Sequence, residues 1–160
     1  STSLMAEITA WAKDNGKSLF DLLKDIYAEY GFSQEKMIYI VRKGLTGAQE
    51  IKDMMDKFRN NTPAKINGSD IIIKKDYSIL KAVNLKTGET SNMDFPTTSN
   101  VLQFFLADGC KISVRPSGTE PKIKFYFEAR AQMPTTNDFH KAQAEAEAKI
   151  DTIVADLGIQ

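Results

Sequence analysis

Apolar positions recur along this chain at two periods, first helical and then alternating. Between residues 3 and 15, Leu4, Ile8 and Trp11 fall at i, i+4 and i+7, the stripe of an amphipathic helix, and Asn15-Gly16 ends it. Ser18 supplies an N-cap for a second helix whose apolar face carries Leu19, Leu22, Leu23, Ile26, Tyr27 and Tyr30, and Gly31 closes that one. From Lys36 the period drops to two. Met37, Tyr39 and Val41 alternate with Ile38, Ile40 and Arg42, which predicts a largely buried strand. Gly44 and Thr46-Gly47 break it, and Ile51, Met55 and Phe58 mark the inward face of a helix over 47–60. Residues 70–73 and 77–85 predict a pair of strands, Lys86 to Glu89 a turn, and 93–100 an irregular stretch in which Pro96 forbids a central strand.

The second half of the chain alternates more cleanly. Residues 101–107 and 111–115 read as strands joined by Asp108-Gly109, a strong hairpin signal, and a strand over 122–130 completes a three-stranded antiparallel meander. Pro134 and Thr135-Thr136 then introduce a last helix, 137–157, with Phe139, Ala142, Ala146, Ile150, Ile153 and Leu157 inward and Gly158 at its end. The expected architecture is α+β. It has a strand, a helix, an antiparallel sheet of about four strands with helices on one face, and two helices in front. Those two helices need a partner surface for their apolar faces. The expectation is therefore that 1–33 is the helical remnant and linker of a preceding domain, 34–160 is a domain in its own right, and the chain is a fragment.

Composition narrows the function. In 160 residues, 42% apolar and 26% charged are globular proportions, and a formal net charge of zero argues against a nucleic-acid binder. No apolar run approaches the roughly 20 residues of a membrane span, and no secretory signal is visible, so no membrane partner and a cytoplasmic location are expected. The single cysteine, Cys110, allows neither an intrachain disulfide nor a cysteine metal site and reads as a small buried apolar residue. The single histidine, His140, reads as a surface residue rather than a ligand. Thr46, at a strand–glycine–helix junction, reads as a cap rather than as part of an anion site, because nothing basic in the turn completes a P-loop.

The chemistry gathers between the last two strands, at Arg115-Pro116-Ser117-Gly118-Thr119-Glu120-Pro121. Arg115 offers a planar fork of donors suited to phosphate, and Ser117 and Thr119 add hydroxyls. Gly118 is free to take φ > 0, so that successive N–H groups turn toward one point. Pro116 and Pro121 stiffen the ends. Pro-Ser-Gly-Thr is also ordinary turn vocabulary, so the residues alone leave a plain hairpin open. The strand alternation tips the balance, since it puts Cys110, Ile112 and Val114 on one face and gathers Arg115, Lys122 and Lys124 near the loop on the other.

Arg115 to Pro121, followed by Lys122-Ile123-Lys124-Phe125-Tyr126-Phe127-Glu128, resembles the phosphate-binding loop of the α-D-phosphohexomutases, the family of phosphoglucomutases and phosphomannomutases. The stretch from Val101 to Val114 is similar to the hairpin that precedes it there. The resemblance implies that 34–160 is the family's C-terminal, fourth domain, with a fold like that of TATA-box-binding proteins, and that 1–33 ends the third. It implies a parent isomerase that moves phosphate between C1 and C6 of glucose or mannose phosphate, using Mg²⁺ and a phosphoserine from domains that this chain lacks. By the same resemblance Arg115, Ser117, Gly118 and Thr119 grip the phosphate not being transferred, Lys124 assists, and Glu120 orients Arg115 or the loop backbone. No nucleophile, metal or sugar-loop segment of that family occurs here. The chain alone is therefore expected to be non-catalytic, and to hold no metal. The alternative reading is a stand-alone phospholigand-binding module. Pairing of two copies through residues 1–30 is a further expectation.

Overall fold

The computed structural model describes residues 1–159. It divides into two compact units, one formed by Ser1–Gln34 with Arg130–Glu147, the other by Glu35–Ala129 with the chain from Ala148 onward.

In the first unit, helix α1 (Thr2–Asp14) and helix α2 (Leu19–Tyr30) form as the apolar stripes predict. Ser18 and Asp21 make a reciprocal capping box at the start of α2, each side chain accepting from the other residue's backbone N–H at 3.1 Å. The Ser18 hydroxyl, which donates to the Asp21 carboxylate at 2.7 Å, followed by the Ser18 backbone N–H and Lys24, holds that carboxyl down at about 2. Gly31 turns the chain sharply at φ +91°. Residues 130–147 complete this unit. Within it the rings of Phe20, Tyr27 and Phe32 surround Phe139, with Phe20 and Phe32 edge-on to it at 5.1 and 5.7 Å. Much of α1 and α2 remains in water, with Leu4 60%, Trp11 55% and Ile26 44% exposed. His140 is exposed and lies edge-on to Phe139.

The second unit carries the sheet. Its strands are β1 (Phe32–Val41), β2 (Lys65–Ile66), β3 (Ser69–Asp76), β4 (Lys81–Asn84), β5 (Thr90–Asn92), β6 (Leu102–Leu106), β7 (Lys111–Pro116) and β8 (Lys122–Ala131). β1 and β8 begin or end in the first unit. The order is β1-β8-β7-β6-β3-β4-β5, with β2 paired to β3, so among the described residues the sheet has eight strands where the sequence suggested about four. The predicted meander β6-β7-β8 is antiparallel and in register, with Phe104 opposite Ile112 and Val114 opposite Phe125. Six of these strands fall where the sequence marks a strand, and one sheet takes in all of them together with β2 and β5, which alternation does not mark. β2 and β5 have two and three residues, and β5 is wholly exposed.

Helix α3 (Gly47–Asn60) follows β1, and helix α4 (Phe139–Leu157) closes the fold. Ile51, Met55 and Phe58 of α3 and Ile150 and Ile153 of α4 are buried, as are Ile112, Val114, Ile123 and Phe125 of the sheet. Phe58 meets Phe125 edge-on at 5.7 Å. The apolar face of β7 and β8 therefore belongs to the core, and their other face remains polar. Cys110 is buried, as its place in the alternation predicts. Thr46 stands at the N-cap position of α3 without capping it. Its backbone is helical, and its hydroxyl donates to Glu50 at 3.0 Å instead. Gly47 is required by space: a Cβ there would lie 2.1 Å from the Arg42 carbonyl oxygen. No helix among the described residues is long and apolar enough to cross a membrane.

Candidate functional site

The loop between β7 and β8 is closed by its own backbone. The N–H of Ser117 donates to Lys122 O at 2.7 Å, and the N–H of Lys122 donates to Glu120 O at 2.7 Å. A third bond, from Arg42 N–H to Pro121 O at 2.9 Å, ties the far end to the chain after β1. Three donors at the tip are left over. Among the described residues the N–H groups of Gly118 and Glu120 have no partner, and that of Thr119 reaches Ser117 Oγ only at 3.5 Å, the limit of a hydrogen bond. Unpaired backbone donors are tolerated here because Gly118, Thr119 and Glu120 are exposed to water.

Gly118 does not adopt the positive φ that its turn context suggested. The hydrogen bonds at Ser117 and Lys122 close the hairpin without a left-handed residue. Nor does packing within the fold call for a glycine, since a Cβ built on it meets nothing within 4 Å. Glu120 likewise departs from expectation. Its carboxylate turns to Lys122 at 2.7 Å, not to Arg115 or the loop backbone, and the ammonium of Lys122 also lies over the Tyr39 ring. The pairing lowers the Glu120 carboxyl pKa and raises that of Lys122.

Arg115 and Lys124 are directly opposite one another across β7 and β8. Both project from the polar face, because their neighbours Val114, Ile123 and Phe125 fill the other. Among the described residues neither makes an ion pair within 4 Å, whereas nearby Lys111 pairs with Glu128 and Lys122 with Glu120. Like charges directly opposite on a sheet are destabilising, so an anion between them would relieve a local cost.

Beside the loop lies a cleft of about 520 Å³. Pro116 to Pro121 form one wall, with Ser117, Gly118 and Thr119 among its lining residues. Arg115 and Lys124 do not line it. They flank the loop from the polar sheet face. The opposite wall holds residues that the sequence did not single out: Lys52, Asp56 and Arg59 of α3, and Asn100. The helical spacing i, i+4, i+7 put the first three on one polar face, which was the only signal available.

Arg59 is held firmly. Its Nε donates to Asp76 at 2.9 Å, one Nη to Asp56 at 3.3 Å and the other to Asn100 Oδ1 at 2.7 Å. Asp76 is only 4% exposed, and its second oxygen accepts from the N–H and hydroxyl of Ser78 at 2.9 and 2.6 Å. Burial pushes the Asp76 carboxyl up, but the bonds from Ser78 and Arg59 outweigh it and leave the pKa below its ordinary value. The resemblance assigns Mg²⁺ to the parent, and the residues present do not fit it. Among the described residues no group of three His, Cys, Asp or Glu side chains could hold a metal.

Comparison with known proteins bears on this loop and its setting. The family model described as "Phosphoglucomutase/phosphomannomutase, C-terminal domain" matches residues 57–150, more than half of the chain. A phosphoglucomutase of Staphylococcus haemolyticus is 40% identical over 123 residues, covering 77% of this chain and 22% of that protein. One from Staphylococcus saprophyticus is 33% identical over 118 residues, 74% of this chain and 21% of its own length. Among solved structures, the exocytosis-sensitive phosphoprotein parafusin, a phosphoglucomutase from Paramecium in its open form, matches 89% of this chain and 23% of its own, at 18% identity and a TM-score of 0.49. The chain thus spans about a fifth of the length of the curated relatives it matches. With the family's C-terminal domain matched across the β3–β8 strands and the loop between β7 and β8, the chain belongs to the phosphoglucomutase/phosphomannomutase family.

Proposed function

We propose that residues 34–160 form the domain that holds the non-transferring phosphate of a hexose phosphate, while a larger parent isomerase moves phosphate between C1 and C6. Residues 1–33 then end the preceding domain. Arg115 and Lys124 neutralise the dianion from the polar sheet face. Ser117 and Thr119 offer hydroxyls, and the backbone N–H groups of Gly118 and Thr119 complete the grip. The observation that carries this reading is the conjunction of an unpaired Arg115–Lys124 row with unspent donors at the adjoining loop tip. Each charge-assisted hydrogen bond so formed contributes roughly 1.5–3 kcal/mol. The chain supplies no nucleophile. The phosphoryl chemistry, with its Mg²⁺, belongs to the rest of a cytoplasmic parent, and the missing domains are this chain's partners, with glucose or mannose phosphate as ligand. The exposed apolar faces of α1 and α2 supply a surface for pairing of two copies.

Titrating the isolated chain with glucose 6-phosphate while following backbone amides tests the site. Residues 115–124 should shift first, with weak affinity, and Arg115→Lys should weaken binding markedly because a point charge replaces a planar fork. Shifts elsewhere with none in the loop would refute the assignment.

A further inference from the structure

The cleft beside the loop has a second wall, and its chemistry is that of a ligand contact. Lys52 is exposed, and among the described residues its ammonium makes no ion pair or hydrogen bond. One turn and three residues further along α3, Arg59 is fixed by three acceptors. A guanidinium has five N–H donors, of which these bonds use three, so two remain. The carboxylates on the cleft are already engaged, Asp56 by Arg59 and Glu120 by Lys122. Asn100 is oriented by the same network. Arg59 can only donate, so the Asn100 atom that meets it at 2.7 Å must be the carbonyl oxygen, and the amide nitrogen is left to donate elsewhere. The volume, about 520 Å³, falls within the roughly 300–1,000 Å³ of small-molecule sites.

We propose that Lys52 and Arg59 are ligand-contacting residues, and that the cleft takes a phosphate monoester carrying hydroxyl groups, held between the loop and α3. This rests on the reading of the loop as a phosphate grip. One side of the phosphate meets the N–H and hydroxyl groups of Gly118 and Thr119, and Lys52 and the free donors of Arg59 meet the other. The Asn100 amide nitrogen donates to a hydroxyl of the esterified sugar. The wall is pre-organised at Arg59 because its anchor, Asp76, is itself fixed by Ser78. At Lys52 it is adaptable, a flexible stem reaching in from the rim. α3 therefore does more than cover the sheet. Its apolar face fills the core with Ile51, Met55 and Phe58, and its polar face reads the ligand.

The test compares inorganic phosphate with glucose 6-phosphate on the 160-residue chain, by amide shifts of residues 117–120 and by calorimetry. Lys52→Ala, an exposed change that leaves the fold alone, should weaken both ligands about three- to tenfold and reduce the salt dependence of binding. Arg59→Lys keeps a charge for Asp76 and should weaken both as well. Asn100→Ala should erase the preference for glucose 6-phosphate over phosphate. Lys111→Ala, a cation paired with Glu128 away from the cleft, is the control and should change nothing. If Lys52→Ala and Arg59→Lys bind both ligands as the unmodified chain does while Arg115→Lys binds poorly, the loop reading stands and the α3 wall is overturned. If the unmodified chain shows no shift at 117–120, the loop reading itself has failed and the wall falls with it.

Discussion

Gly118→Ala separates stability from binding at the loop tip. The added methyl meets nothing within 4 Å, and the backbone there is outside the left-handed region, so the folded state accepts it without strain. The unfolded chain loses freedom, which stabilises the protein by about 0.4–1 kcal/mol. For a chain of this length that is a rise in melting temperature of roughly 1–4 °C. Binding should move the other way. The methyl stands beside the N–H groups of Gly118 and Thr119 and keeps a phosphate oxygen from reaching them. Loss of even one charge-assisted bond, about 1.5–3 kcal/mol, lowers affinity at least about tenfold. Differential scanning calorimetry and a phosphate titration on the same sample read both effects. Unchanged phosphate affinity would mean that the ligand never approaches this backbone. A lowered melting temperature would mean that the space beside Gly118 has been misjudged.

Gly47→Ala should do the opposite to stability. Its Cβ would sit 2.1 Å from the Arg42 carbonyl oxygen, so the start of α3 must shift at a cost of about 1–3 kcal/mol, against at most about 1 kcal/mol of gained helix propensity. A melting temperature at or above that of the unmodified chain would contradict the close approach. Asp76 gives a pH signature. Its folded-state pKa lies below the ordinary 3.8, so its contribution is complete above that value and is lost as pH falls through the folded one. Asp76→Asn should cost about 1–3 kcal/mol at neutral pH and flatten the loss of stability below about pH 4, as denaturant midpoints across pH 2–7 would reveal. Equal acid sensitivity in the variant would assign the loss to other groups. Sedimentation should show self-association of the intact chain that Leu4→Glu with Trp11→Glu abolishes, because both side chains are more than half exposed; a monomer at all concentrations would exclude the pairing.

The elements readable from the sequence were those with a long, regular period. The helix over 47–60 and the meander ending in β8 formed where alternation and spacing put them. β2 and β5 were not readable, since two or three residues cannot display a period. The loop announced itself through a run of residues whose order carries meaning. Its facing wall did not, because Lys52 and Arg59 share a cleft with the loop only across more than fifty residues of chain, and a polar helix face looks the same whether it meets water or a ligand. Gly118 misled for a related reason. Glycine permits both positive φ and an absent side chain, and only the backbone path reveals which property is used.

The aromatic cluster around Phe139 ties the beginning of the chain to its end, and β1 likewise waits for β8, its neighbour in the sheet. Phe32 and Phe139 are 107 positions apart (139 − 32), so at about 5–20 residues per second a ribosome delivers the second roughly 5–20 s after the first. Throughout that interval α1, α2 and β1 have emerged without the residues that complete them. Their apolar faces are then open to chaperones or to neighbouring nascent chains on the same message. Folding of this segment is therefore late and non-local, completed only once residues 130–147 have left the ribosome.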